Sequence, residues 1–370
     1  MKFTAERETI LAALTFVGKY AASDNKIPII ADVLIKAKGS QVYFVATDLE
    51  QAAADSCPAE VQEPGALCLP ASLLLKAIKS SSGEVSVSAD DRQATVTIGK
   101  SKFKMPVLPA ADFPKMPMLT KDGDCAFAVD GAVLTRIGKA VAFSAEPPNG
   151  RYFLIGVSWR VHEGQLEFCA TDGKKLSLMS VDAPYAAAAM PSVIVPIIDT
   201  PSWSGPVNVD ASEAFVRFQS GNQTLASKLI EGTYPDYHRL IPKNSTSIIL
   251  DRQELLASLG RVALVADAKE HSILFVGRDG KITLSSVTAT GEAVDEIAYH
   301  GDDFQIAIVH HVAVPILSSF DCETIELRYA DHQTGITIHD PNDASRVTFA
   351  MPYRDSRLAE FIPAYKEAAE

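Results

Sequence analysis

The sequence predicts an α+β chain built from three repeats, each about one third of its 370 residues. Three observations predict this. The stretch QVYFVATD at 41–48 returns as QLEFCATD at 165–172. Three amphipathic stretches with apolar residues three, four and seven apart start at matching places. Each is followed by period-2 apolar runs and then by a proline-headed helical stretch.

The amphipathic helices carry Ile10, Leu11, Leu14 and Val17, then Val133, Leu134, Ile137 and Ala140, then Leu255, Leu256, Leu259 and Val262. The proline-headed stretches are LPASLLLKAIKS from Leu69, VPIIDTPSW from Val195 and VAVPILSSF from Val312. LPAADFP (108–114) and LIEGTYP (229–235) close the first two repeats with a leucine, an aromatic and a proline. The third repeat keeps GKITLSS (280–286) and loses the Ala-Thr-Asp. One shared tripeptide is weak, but several unrelated marks at one period are not. Domains are expected at 1–120, 121–245 and 246–370, each with two helices on antiparallel sheet. The Ala-Thr-Asp segment reads as a strand end entering a turn, where an Asp side chain bonds backbone N–H groups. Three such units joined edge to edge leave two open sheet edges, which a second copy could close.

The bulk composition fits a globular chain with a full core: 47% hydrophobic and 22% charged. No apolar run reaches the roughly 18–20 residues of a membrane span. The N-terminal MKFTAERETI lacks a signal-peptide core, so a cytoplasmic location is expected. Five cysteines without a C-x-x-C favour neither disulfides nor zinc, and Cys169 reads as a buried thiol. A net charge of −12 argues against binding nucleic acid through the whole surface, though not through one basic face.

Catalytic patterns are missing: there is no phosphate-binding or dinucleotide glycine loop, no H-E-x-x-H and no G-x-S-x-G. No cofactor or metal is called for. His310 and His311 are adjacent, so on a strand they would face opposite ways. Asp90–Asp91 and Asp302–Asp303 read as turn charge.

Taken in order, IPIIADVLIKA (27–37), ATDLE (46–50), LPAADFP (108–114), GRYFLIGV (150–157), ATDGKKL (170–176), IVP (194–196), YPDYHRLIP (234–242) and FAMP (349–352) resemble the bacterial DNA polymerase III beta subunit, the sliding clamp. The resemblance covers nearly the whole chain. It implies three clamp domains per chain and a head-to-tail homodimer forming a six-domain ring around double-stranded DNA. It implies no catalysis: the ring is a processivity factor that tethers the DNA polymerase III alpha subunit, and it is loaded by a clamp loader. Both partners use a short peptide motif.

By matching positions, the resemblance assigns a peptide pocket to Leu154, Thr171, Gly173, Lys174, Lys175, Leu176, Pro235, Arg239, Leu240, Phe349, Met351 and Pro352. The leucines, Phe349, Met351 and the prolines of this set can bury a partner's leucine and aromatic groups, and a methionine adapts to varied shapes. It assigns DNA contacts to Lys26, Arg151 and Tyr152, with Lys76, Lys79, Arg136 and Lys139 as helix-borne candidates beside Arg7, Lys19, Arg252 and Arg261. It assigns dimer contacts to strand edges carrying Phe103 and Met105, and Leu264 and Val265.

The sequence also departs from the family. Asp24–Asn25 stand where a family arginine precedes IPI. Ser72 and Leu73 replace basic residues, and Asp199, Pro201 and Gly205 interrupt a basic helix that should therefore be short or broken. Lys174–Lys175 replace His-Arg. The tail 353–370 is longer than usual, and Leu358, Phe361, Ile362 and Tyr365 could pack beside the pocket. These changes leave open a second function: a clamp-fold module that binds partners without being efficiently loaded on DNA.

Overall fold

A computed structural model describes residues 1–22, 27–244, 246–265, 272–288, 291–331 and 334–355. Its contacts divide into two compact units, one of Met1–Thr135 with Pro184–Leu229, the other of Arg136–Ala183 with Ile230–Glu370.

In the first unit, α1 (Arg7–Val17) buries Ile10, Leu14 and Val17 of the expected face together with Ala13 and Phe16, while Leu11 is half-buried. It packs beside α2 (Ala71–Ser80), whose Leu74, Ala77 and Ile78 are buried. One sheet of this unit runs Glu60–Glu63, Lys2–Ala5, Val85–Ala89, Gln93–Ile98, Ser101–Pro106 in spatial order. The other contains the hairpin Gln41–Thr47 with Gln51–Pro58 and continues into Gln223–Lys228, Phe215–Ser220, Pro206–Ala211 and Cys125–Asp130. The strand Gln51–Pro58 of the first repeat thus pairs with Gln223–Lys228 of the second, Ala53 opposite Leu225.

The helix α3 (Gly131–Ala140) buries Leu134, Ile137 and Ala140 as its spacing predicts. The second repeat has no helix at VPIIDTPSW: the segment 197–205 is irregular. This corrects the plain repeat expectation and agrees with the broken helix expected from Pro201. In its place Trp203 is buried against Phe16 and Phe218 and donates its indole N–H to Gln223 at 2.7 Å.

In the second unit, α4 (Arg252–Val262) starts at Asp251, whose carboxylate accepts the Glu254 N–H at 2.7 Å. This is a side-chain cap of the orphan amides. It buries Leu255, Leu259 and Val262 and packs beside α5 (His310–Ser318). His310 and His311 therefore open a helix rather than sit on a strand. A four-stranded sheet runs Gly291–Ala298, Lys281–Thr288, Ser272–Arg278, Phe304–Val309. A second sheet orders Gly156–His162, Gln165–Thr171, Lys175–Asp182, Asp343–Ala350, Ile336–Asp340, Thr324–Tyr329 and Thr246–Asp251. Here Lys175–Asp182 of the second repeat pairs with Asp343–Ala350 of the third, Ser177 opposite Thr348. The same joint therefore occurs twice, once in each unit. Hydrogen-bonded sheet crosses the repeat boundary, which is why compactness follows the joints rather than the repeats.

Candidate functional site

The pocket residues assigned by resemblance all lie in the second unit, and the strand ladder brings most of them together. Leu176 stands opposite both Thr171 and Phe349, and the Met351 N–H donates to the Lys174 carbonyl at 2.8 Å. Leu154, Thr171, Leu176 and Phe349 are buried, whereas Leu240 and Met351 are 50% and 46% exposed. Cys169, Leu176, Leu178, Tyr237 and Phe349 form one apolar cluster, with Tyr234, Ile241 and Val347 packed against it. Leu240 and Met351 thus add exposed apolar surface to the same segments that carry a buried apolar cluster, a combination that can bury a peptide's apolar groups. Pro235 and Pro352 are half-buried, and Arg239 extends into solvent with Asp236 as its ion partner at 2.8 Å.

The Ala-Thr-Asp turn carries Thr171, Gly173, Lys174 and Lys175 of this set. The Thr171 hydroxyl donates to the Lys175 carbonyl at 2.7 Å and accepts the Gly173 N–H at 3.0 Å. One Asp172 oxygen accepts the Lys174 and Lys175 N–H groups at 2.8 and 2.9 Å. The other meets the Lys175 ammonium. The first copy is built alike: Thr47 bonds the Gln51 carbonyl and the Leu49 N–H, and Asp48 accepts Glu50 and Gln51. The third position is left-handed in both, Gly173 at φ +82° and Leu49 at φ 80°. The second copy has an added partner. The Arg151 guanidinium donates to the Asp172 carbonyl at 2.5 Å and to Glu146 at 3.0 Å, so a Cβ on Gly173 would lie 2.9 Å from it. The Thr171 N–H also donates to the Tyr234 hydroxyl at 3.0 Å.

Sequence reading missed a buried polar cluster on the strand that leads into this turn. Glu167 is buried, and its Oε2 accepts the Tyr237 hydroxyl at 2.7 Å and Arg160 Nε at 3.1 Å, with His238 Nε2 at 2.9 Å. Burial pushes the Glu167 carboxyl up, but its hydrogen bonds with His238, Tyr237 and Arg160 outweigh that and leave it below the usual range. Gly335 was also missed: a Cβ there would lie 1.8 Å from the Phe349 ring. These residues are far apart in sequence and carry no local signal.

The basic candidates divide. Tyr152 is 61% exposed, and Lys76 and Lys79 stand exposed on α2. Arg136 pairs with Asp343 at 2.6 Å, Lys139 with Asp321, Lys19 with Asp199 at 2.8 Å and Arg261 with Asp295. Arg252 is a correction: it is buried, with Nε donating to the Cys322 carbonyl at 2.6 Å, and holds α4 rather than facing outward. Arg7 bonds the Ile78 carbonyl at 3.0 Å and ties α1 to α2. Lys26, Asp24 and Asn25 lie outside the described residues, as do Leu358, Phe361, Ile362 and Tyr365 of the tail. Among the dimer candidates, Phe103 is half-buried on the edge strand Ser101–Pro106. Met105 instead turns fully into the core. Leu264 and Val265 sit on the single turn Ala263–Val265 rather than on a strand edge, with Leu264 84% exposed.

Three models of one family match in succession: DNA polymerase III beta subunit, N-terminal domain at residues 1–117, central domain at 128–236 and C-terminal domain at 238–354. The chain belongs to this family. The beta sliding clamp of Caulobacter vibrioides is 33% identical over 374 residues, covering 96% of this chain and 100% of the relative. That of Escherichia coli K12 is 26% identical over 368 residues at the same coverage. A solved DnaN sliding clamp from Bartonella birtlesii, bound to griselimycin, superposes with a TM-score of 0.90 at 27% identity, covering 96% of this chain and all of that one. The Caulobacter crescentus polymerase III beta structure gives 0.87 at 33% identity and the same coverage. The protein is a DNA sliding clamp, a non-catalytic processivity factor of three α+β clamp domains. Among the described residues no helix is long and apolar enough to cross a membrane.

Proposed function

We propose that two copies of this chain close head to tail into a six-domain ring around double-stranded DNA, with domains at 1–120, 121–245 and 246–370. The supporting observation is the joint that occurs twice within the chain. By hairpin register, Gln51–Pro58 and Lys175–Asp182 correspond to Gly291–Ala298, and Gln223–Lys228 corresponds to Ser101–Pro106. Those two counterparts are the outer edges of their own sheets. An open edge is an unsatisfied ladder, and the third use of the joint would be between chains. Carrying the internal register over puts Phe103 opposite Ala293 of the partner subunit and Lys104 opposite Glu292 of the partner subunit. Lys104 and Glu292 are exposed and opposite in charge.

A ring holds DNA by topology, so its phosphate contacts can stay weak enough to slide. Arg151, Tyr152, Lys76 and Lys79 are the contacts this reading favours, in a cytoplasmic setting. The pocket around Leu176, Leu240, Phe349 and Met351 takes the peptide motifs of the polymerase III alpha subunit and the clamp loader.

The test has two parts. A Phe103→Cys, Ala293→Cys variant should cross-link between protomers on oxidation, and each single variant should not. Protein loaded on nicked circular DNA by its own loader and ATP should stay bound until the circle is cut. A monomer in sedimentation, without the cross-link, would overturn the ring. A dimer that is never retained would favour the second reading, a partner-binding module not efficiently loaded. The ion pairs that occupy Lys19, Arg136 and Lys139 favour that second reading.

A further inference from the structure

Beneath the pocket turn Tyr237–Arg239, three metal-ligating side chains converge from three elements. His162 ends the strand Gly156–His162, and Glu167 lies on the partner strand Gln165–Thr171. Arg160 is directly opposite Glu167, and His162 is directly opposite Gln165. With period-2 alternation, Arg160, His162 and Glu167 therefore share one face. His238 comes from the single turn Tyr237–Arg239 laid on that face. The ligand atoms of His162, Glu167 and His238 all lie within 4.8 Å of one another. The two imidazole centroids are 4.5 Å apart at 45°.

We propose that His162, Glu167 and His238 form a binding site for one divalent d-block cation of the zinc class. Two imidazoles and one carboxylate suit zinc, cobalt, nickel or copper and not calcium or magnesium, which take oxygen ligands. With bonds of about 2.0–2.2 Å, tetrahedral donors sit roughly 3.4 Å apart, which small side-chain rotations reach from the present spacing. Three protein donors leave a fourth position for water. The carboxylate is already oriented: the Tyr237 hydroxyl and Arg160 Nε hold its Oε2, the outer-shell support that ligating carboxylates use. Arg160 is a nearby cation and lowers the affinity; its guanidinium stacks over the Tyr237 ring at 4.3 Å. His162 and His238 are half-exposed, so an ion can enter from solvent. Ligation through His238 Nε2 breaks its hydrogen bond to Glu167 Oε2 and takes the imidazole as its Nδ1–H tautomer.

The experiment uses tag-free full chain, stripped with chelator, in a Cys322→Ser background because Cys322 is the one cysteine not buried. Zinc is titrated in equilibrium dialysis, and cobalt is followed by its ligand-field absorption. About one ion per chain is expected, with affinity falling at least about tenfold in His162→Ala and in His238→Ala, and by about tenfold in Tyr237→Phe. Thermal unfolding in chelator checks that each variant folds. His162 ends an exposed hairpin, so His162→Ala alone decides the matter if His238→Ala does not fold. No binding at about 100 μM zinc, or undiminished binding in His162→Ala, would overturn the site.

Discussion

Gly173→Ala is a perturbation whose cost divides into two separable parts. Gly173 is left-handed at φ +82°. An alanine there costs about 1–2 kcal/mol, of which a stiffer unfolded chain returns roughly 0.5 kcal/mol. The new Cβ would also lie 2.9 Å from Arg151 Nη2, the nitrogen that holds the Asp172 carbonyl. Arg151 is half-exposed, so losing its contact adds only about 1 kcal/mol. The total is about 2 kcal/mol. In an Arg151→Ala background only the backbone part, about 1 kcal/mol, should remain, a coupling of about 1 kcal/mol. Urea unfolding in a Trp203→Phe background leaves Trp159, in the second unit, as the fluorescent reporter. A clamp-motif peptide should also bind Gly173→Ala more weakly, because the turn moves. A penalty below about 0.5 kcal/mol would refute the backbone part. Equal penalties in both backgrounds would refute the role of Arg151.

Phe349→Ala should cost about 3–5 kcal/mol and abolish peptide binding in fluorescence polarisation, since Phe349 floors the cluster with Leu176 and Tyr237. Asp32 is buried on its strand, and burial pushes its carboxyl up to about 6 from the ordinary 3.8. Its charged form is thus disfavoured in the fold, and wild type gains stability as pH falls from about 6 toward 4. Asp32→Asn should therefore be the more stable protein at pH 8, by about 1–3 kcal/mol, with the difference vanishing near pH 4 in urea titrations. Asp321→Asn together with Asp343→Asn frees Lys139 and Arg136 from their partners and should raise DNA retention and steepen its salt dependence. Unchanged retention would mean these cations do not face the duplex.

Much of the fold was legible because repetition is a sequence property. The offsets of the helices and of the two Ala-Thr-Asp turns do not depend on tertiary contact, and the helix faces of Ile10, Leu134 and Leu255 follow from a 3.6-residue period alone. The pocket residues came from resemblance, and the ladder around Leu176, Phe349 and Met351 then brought them side by side. Met105 shares a strand face with the half-buried Phe103, two steps away, yet it is fully buried, a difference in depth that period-2 spacing does not mark.

What the sequence determined by itself is therefore local: period, turn chemistry and the broken second helix at Pro201. What only the tertiary structure decided is pairing at long range. The joints Ala53 to Leu225 and Ser177 to Thr348, the burial of Arg252 and the meeting of His162, Glu167 and His238 all depend on which strands become neighbours. Strand pairing is a contest among many edges with similar backbone bonds, and it is settled by the packing of the whole sheet rather than by any short stretch of chain.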